Sequence, residues 1–250
     1  MIDTRAEHRN LLLASSDGTR IAAEHWFTGR EEVVIVAPGF FQSKRTQTFR
    51  RIARFLRRRT DVILMDFRGH GDSGGAYHFS AKETDDLVCV ARYAAAHHRR
   101  VRVLGFSYGG SIALLAQARE RLFEGIACVG SPMRARDIEF EWWRRSSLRS
   151  GRRSLERGSG CRIGSIWSSK EAALDAVRRI GQTPLLFIHG SDDRIVYPRH
   201  SVRLRDAAAG PAEARIIPGG GHAEDLFRTH PELMSRILND WLSGAGPGRS

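Results

Sequence analysis

Along this chain, short runs of apolar and β-branched residues alternate with longer stretches in which apolar positions return every three or four residues. The first pattern suits a strand buried on both faces, and the second a helix with one covered stripe. The spacing predicts strands over Val33–Ala37, Val62–Phe67, Val101–Phe106, Ile126–Gly130, Leu185–His189 and Ala214–Ile217. Helices are predicted around Thr46–Arg59, Lys82–His98, Gly109–Arg119, Pro198–Ala209 and Pro231–Leu242. Strand followed by crossover helix, repeated, is the pattern of a mostly parallel sheet with helices on both faces, so the expected fold class is α/β.

The alternation breaks at both ends and once in the middle. Leu11–Leu13 and Arg20–Trp26 flank a Ser-Asp-Gly turn, as in a hairpin added to one edge of the sheet. Between Ser131 and Thr183 lies a connection rich in Arg, Ser and Gly that is too long for an ordinary crossover. The expectation is a small cap inserted over residues 132–183, with Glu171–Ile180 as its clearest helix. The final SGAGPGRS, residues 243–250, reads as a frayed tail, and the rest as one domain spanning 1–250.

Composition adds exclusions. With 250 residues, 41% of them hydrophobic, the chain is long enough to bury one sizeable core. It has no uncharged apolar run long enough to span a membrane, and MIDTRAEHRN lacks the apolar segment of a secretory signal, so the expected compartment is the cytoplasm. Cys89, Cys128 and Cys161 form no C-x-x-C pair and are expected to be unbridged thiols. The net charge of +12 comes almost entirely from arginines scattered along the chain, which argues for a composition bias and against nucleic-acid binding. The densest basic segment, Met133 to Arg162, holds nine arginines against four acids and also carries Trp142 and Trp143. It reads first as a solvated helical face, and second as a contact for an anionic substrate or an acyl carrier.

Two segments match G-x-S-x-G, Gly71–Gly75 and Gly105–Gly109, and context separates them. A nucleophile elbow needs a tight turn between a strand and a helix, so that the serine oxygen stands clear of the sheet. VRVLGF, SYGG and SIALLAQARE supply that order, which makes Ser107 the candidate nucleophile. The N–H of Tyr108, at the start of the following helix, would face the oxyanion formed when Ser107 attacks a carbonyl. GDSGG at 71–75 matches the serine segment of trypsin-like proteases, but those are all-β and carry their His and Asp upstream. The overlapping Gly69–Gly74 matches G-x-G-x-x-G, yet no helix opens on it, because AYHFS intervenes.

A serine hydroxyl needs a neighbouring base, and histidine titrates in the useful range. His222, in ARIIPGGGHAEDLF, follows the last predicted strand; His189 and His230 are more easily explained as structural. The acid that orients the base is expected just past LLFIHG, where Asp192 and Asp193 stand side by side and spacing does not separate them.

On these residues the chain resembles the α/β-hydrolase superfamily, in particular its small esterase, lysophospholipase and serine-aminopeptidase-like members, over nearly the whole chain outside Met133–Thr183. The family's G-x-x-D-x-x-V segment aligns with Gly190–Val196, which implies Asp193 as the acid. Asp66–Ser73 looks like the family's D-x-R-G-x-G-x-S loop, a structural turn beside the site. The resemblance places the second oxyanion donor after the first crossover strand, at the N–H of Phe40 with Phe41 as the fallback. Here Ala37-Pro38-Gly39-Phe40 lacks the histidine usual in the family.

The expected function is hydrolysis of a carboxylic ester through an acyl-serine intermediate, with a small-molecule substrate. The alternatives are a thioesterase or acyltransferase acting on a coenzyme A or carrier-protein thioester, and a catalytically silent binding protein of the same fold. Trp142, Trp143 and Trp167 are the candidates for lining the substrate cavity. Neither a metal nor an organic cofactor is implied, because no H-x-x-x-H and no cluster of Cys and His occurs along the chain.

Overall fold

A computed structural model describes residues 8–138, 160–165 and 171–244. The hairpin is β1 (His8–Ala14) and β2 (Arg20–Trp26), paired antiparallel from His8 opposite Trp26 to Ala14 opposite Arg20. Six further strands follow: β3 (Glu32–Ala37), β4 (Asp61–Met65), β5 (Arg100–Phe106), β6 (Gly125–Val129), β7 (Leu185–Gly190) and β8 (Ala212–Ile217). Together they form one eight-stranded sheet in the order β1-β2-β4-β3-β5-β6-β7-β8. The hairpin joins β4 antiparallel, and every pairing from β4 to β8 is parallel.

Alternate side chains of the central strands go to opposite faces, and each face has its own helices. Val33, Ile35, Val103, Cys128 and Phe187 pack beneath α2 (Glu83–His97), α3 (Tyr108–Glu120), α4 (Ala173–Val177) and α5 (Arg199–Ala207). Val34, Val36, Leu104, Val129 and Ile188 face α1 (Gln47–Leu56), α6 (Asp225–Thr229) and α7 (Pro231–Ser243). Burial on both sides is why the middle strands read as unbroken apolar runs instead of alternating ones.

Several boundaries differ from the predicted ones. The helix predicted over Glu171–Ile180 is only five residues long, because Ala172 is extended and the chain past Val177 tightens into turns in which the Arg179 and Ile180 N–H groups donate to the Ala176 and Val177 carbonyls. β4 ends at Met65, since Asp66 and Phe67 turn away to begin the 66–73 loop. The short helix α6 was not legible, because it follows the glycine-rich loop without an apolar repeat of its own. Residues 139–159 and 166–170 of the expected cap, with Trp142, Trp143 and Trp167, lie outside the described residues. Among the described residues no helix is long and apolar enough to cross a membrane.

Candidate active site

The carboxyl ends of β3, β5, β7 and β8 share one edge of the sheet, where ligands of open α/β sheets gather. Ser107 stands at the turn from β5 into α3, with φ 48° and ψ −121°, a conformation that L-residues avoid. Its N–H donates to the Val129 carbonyl at 2.8 Å, which pins the turn against β6. Gly109 makes the turn feasible, because a Cβ there would run into the Ala37 and Pro38 carbonyl oxygens. Since the strain belongs to the backbone, Ser107→Gly is expected to be more stable than Ser107→Ala by about 1–3 kcal/mol, both having lost the hydroxyl. Urea unfolding of the two variants measures that difference.

His222 arrives on the loop after β8, where Gly190 and Gly220 let two backbones touch; a Cβ on Gly190 would collide with the Gly220 carbonyl. Its Nε2 lies 3.2 Å from Ser107 Oγ, and its Nδ1–H donates to Asp193 Oδ2 at 2.6 Å. The structure therefore brings Ser107, His222 and Asp193 together across 115 and 29 residues of sequence. Asp192, the alternative acid, is exposed and accepts only the Ser191 hydroxyl, at 3.0 Å, among the bonds it is seen to make.

Asp193 is almost fully buried, and its other oxygen accepts the N–H groups of Ile195 and Val196 at 2.9 and 3.0 Å. Burial alone would raise its carboxyl pKa, but the charge and hydrogen bonds of His222 and a hydrogen bond from His189 outweigh it, so Asp193 stays ionised well below the usual carboxylate range. For His222, burial acts to lower the pKa and the Asp193 carboxylate acts to raise it; the carboxylate wins, and the net shift is upward.

His189, read from the sequence as structural, has a definite place behind Asp193. Its Nε2 lies 2.7 Å from the Val196 carbonyl and 3.1 Å from Asp193 Oδ2, and its Nδ1 lies 2.7 Å from Ser201 Oγ. A proton on Nε2 serves both oxygens, so His189 braces the Asp193 carboxylate from behind. Sequence alone offered no signal for this, because position 189 was already explained as the end of a buried strand.

The loop after β3 passes close to the elbow, and a Cβ on Gly39 would lie 3.2 Å from Ser107 Cβ. The Phe41 N–H donates to His70 Nε2 at 3.1 Å, while His70 Nδ1–H donates to the Arg68 carbonyl at 3.1 Å. Burial pushes His70 down to about 4, so the ring is neutral and able to accept that bond near neutral pH. His70 thus shapes the 39–41 turn from within the 66–73 loop. That loop is held in turn by Asp66, which accepts the N–H groups of Lys44 and Asp72 at 2.6 and 2.9 Å, and by Arg68, bidentate to buried Asp86. A bridge from Gln42 Nε2 to Glu224 Oε1, 2.8 Å long, joins the β3 loop to the His222 loop.

Next to the elbow, Phe40, Phe79 and Tyr108 form an aromatic wall, with ring centroids 5.0 and 6.0 Å apart in sequence along it, and Phe41 projects beside Phe40. Beyond Tyr108 opens a cavity of about 390 Å³ bordered by Leu115, Met133, Arg134, Arg136 and Asp175.

Comparison with known proteins agrees with this architecture. A model of the alpha/beta hydrolase family matches residues 33–237. The uncharacterized protein YfhR of Escherichia coli O157:H7 is 26% identical over 196 residues, covering 76% of this chain and 63% of YfhR. The chain thus spans less than two thirds of the length of the curated relatives it matches. Among solved structures, the Pyrococcus furiosus esterase Pf2001 superposes with a TM-score of 0.78 at 20% identity, over 95% of this chain and 92% of that one. The esterase EaEST from Exiguobacterium antarcticum gives 0.74 at 19% identity, over 94% and 100%. At such identities the structural likeness is one of fold.

Proposed function

The chain belongs to the α/β-hydrolase family, and from that premise we propose that it is a serine hydrolase cleaving a carboxylic ester through an acyl-serine intermediate. The observation that carries the proposal is the continuous run of hydrogen bonds from Ser107 Oγ through His222 to Asp193. In this mechanism Ser107 Oγ attacks the ester carbon while its proton passes to His222 Nε2. The carbonyl electron pair moves onto oxygen, where the N–H groups of Tyr108 and Phe40 receive it. Phe41 is the weaker choice, since His70 already takes its N–H. Asp193 stabilises the imidazolium, which then protonates the leaving alcohol oxygen as the C–O bond breaks. Water, deprotonated by His222, attacks the acyl-serine and releases the acid.

The aromatic wall favours an apolar group beside the ester, and residues 132–183 are read as a cap whose two ends border the cavity beyond Tyr108. A thioester on an anionic carrier is less well supported, because Arg134 and Arg136 at that cavity are already within 3.6 and 3.7 Å of Asp175 and Asp137. The two esterases of like fold make a chromogenic carboxylic ester the first substrate to try. Turnover of that ester, together with a fluorophosphonate label mapped to Ser107, is the expected result. A labelled residue other than Ser107, or no label on folded protein, refutes the proposal.

The raised pKa of His222 sets the pH profile. Only the neutral ring can take the Ser107 proton, so activity is lost as pH falls through the His222 pKa. The acid limb of kcat/KM is therefore expected above the ordinary histidine value of 6.5, and a limb well below it would contradict the Asp193–His222 coupling.

A further inference from the structure

At the opposite edge of the sheet from Ser107, three buried side chains converge: His25 on β2, Asp61 at the start of β4, and His98 just after α2. Their ligand atoms lie within 4.8 Å of one another. Asp61 Oδ1 is fully used, accepting from the Thr28 N–H and hydroxyl at 2.8 and 2.5 Å and from the Arg30 N–H at 3.3 Å. Asp61 Oδ2 points instead between two imidazole nitrogens, 3.1 Å from His98 Nε2 and 3.8 Å from His25 Nε2. His25 Nε2 is buried and has no hydrogen-bond partner, the kind of group that costs free energy unless something is bound to it.

The outer nitrogens of both rings are already engaged. His98 Nδ1 lies 3.2 Å from the Ala94 carbonyl, which can only accept, so a proton sits on Nδ1. With Nδ1 so engaged, Nε2 is the nitrogen that faces the Asp61 carboxylate, 3.1 Å from Oδ2. His25 Nδ1 is paired with the Tyr93 hydroxyl at 3.2 Å. Two imidazoles anchored through Nδ1 and aiming Nε2 at a shared carboxylate oxygen form the arrangement that outer partners impose on metal-binding histidines.

We propose that His25 Nε2, His98 Nε2 and Asp61 Oδ2 bind one late first-row divalent cation, zinc by preference, as a structural clamp between β2, β4 and the end of α2. Two nitrogens and one oxygen, with a water as the fourth ligand of the tetrahedron, would suit such an ion, whereas calcium and magnesium take oxygen ligands. Tetrahedral zinc holds its ligand atoms roughly 3.3 Å apart, so the pairs at 3.1 and 3.8 Å are near that spacing and the widest, within 4.8 Å, closes by up to about 1.5 Å around the ion. The positive ion meets one carboxylate and two imidazole nitrogens, and it supplies the partner that His25 Nε2 lacks. The ring of Phe27, 56% exposed, stands edge-on to His25, so the cluster lies one side chain from solvent. Nothing in this clamp touches Ser107, so it is separate from the proposed hydrolase chemistry.

The test is titration of chelator-treated protein with zinc chloride by calorimetry, with thermal unfolding and the visible spectrum of the cobalt(II) form measured in parallel. One equivalent per chain, a higher Tm with zinc and a tetrahedral cobalt band are expected. His25→Gln should weaken binding by at least about 100-fold while circular dichroism stays unchanged, and Tyr93→Phe, which keeps all three ligands, by about 10- to 100-fold. Ser107→Ala should bind zinc normally. The proposal is overturned if no saturable one-to-one binding occurs. It is equally overturned if binding survives His25→Gln and disappears with His97→Ala, which would mark an adventitious site at the exposed neighbouring histidine.

Discussion

Ser107→Ala is expected to lower turnover of an ester substrate by on the order of a million-fold, the scale seen when the nucleophile of a serine triad is removed. The Oγ is the only atom lost, and it is the atom 3.2 Å from His222 Nε2. The oxyanion N–H groups and the aromatic wall stay in place, so residual catalysis on the order of 10³- to 10⁴-fold over water should remain. The measurement is kcat/KM on a chromogenic ester, with circular dichroism to show that the variant is folded. Activity within tenfold of the parent would mean that Ser107 is not the nucleophile.

Asp193→Asn is expected to cost about 10⁴-fold in kcat, through the wrong tautomer of His222. The Ile195 and Val196 N–H groups would hold the amide oxygen where Asp193 Oδ1 now lies. That turns the NH₂ toward His222 Nδ1, which must then accept, and the ring proton moves to Nε2, where it faces Ser107. The hydroxyl loses its acceptor while the geometry is kept. Raising the pH does not restore the rate, because the fault is the position of a proton and not its number. Asp192→Asn is the control and should change kcat less than about threefold, since exposed carboxylates away from the reacting atoms contribute little. Equal losses in the two variants would overturn the assignment of Asp193.

Much of this architecture was open to reading in one dimension. Runs such as VVIVA and VRVLGF announce strands covered on both faces, and their alternation with helical segments yields a parallel sheet. Ser107 stood out because the glycines around it lie between a strand and a helix, and the second match, at Ser73, failed the same test. Ser73 in fact ties the 66–73 loop to β2, its hydroxyl accepting the Ala22 N–H at 2.8 Å and donating to the Asp66 carbonyl at 2.7 Å. Of the expected cap helix, only five residues formed, because propensity does not reveal where the chain will tighten into a turn, as it does past Val177.

Local order, then, was settled by the sequence itself: periodicity depends on neighbours three or four places away, and a strand-turn-helix elbow is a local object. What the tertiary structure alone decided were the contacts between distant segments. It buried Asp193 against His222 while leaving Asp192 exposed, placed His189 behind Asp193 and His70 behind the β3 loop, and gathered His25, Asp61 and His98 from three elements. Such groupings leave no periodic trace along the chain, because they depend on which strands become neighbours and which side chains are shut off from water together.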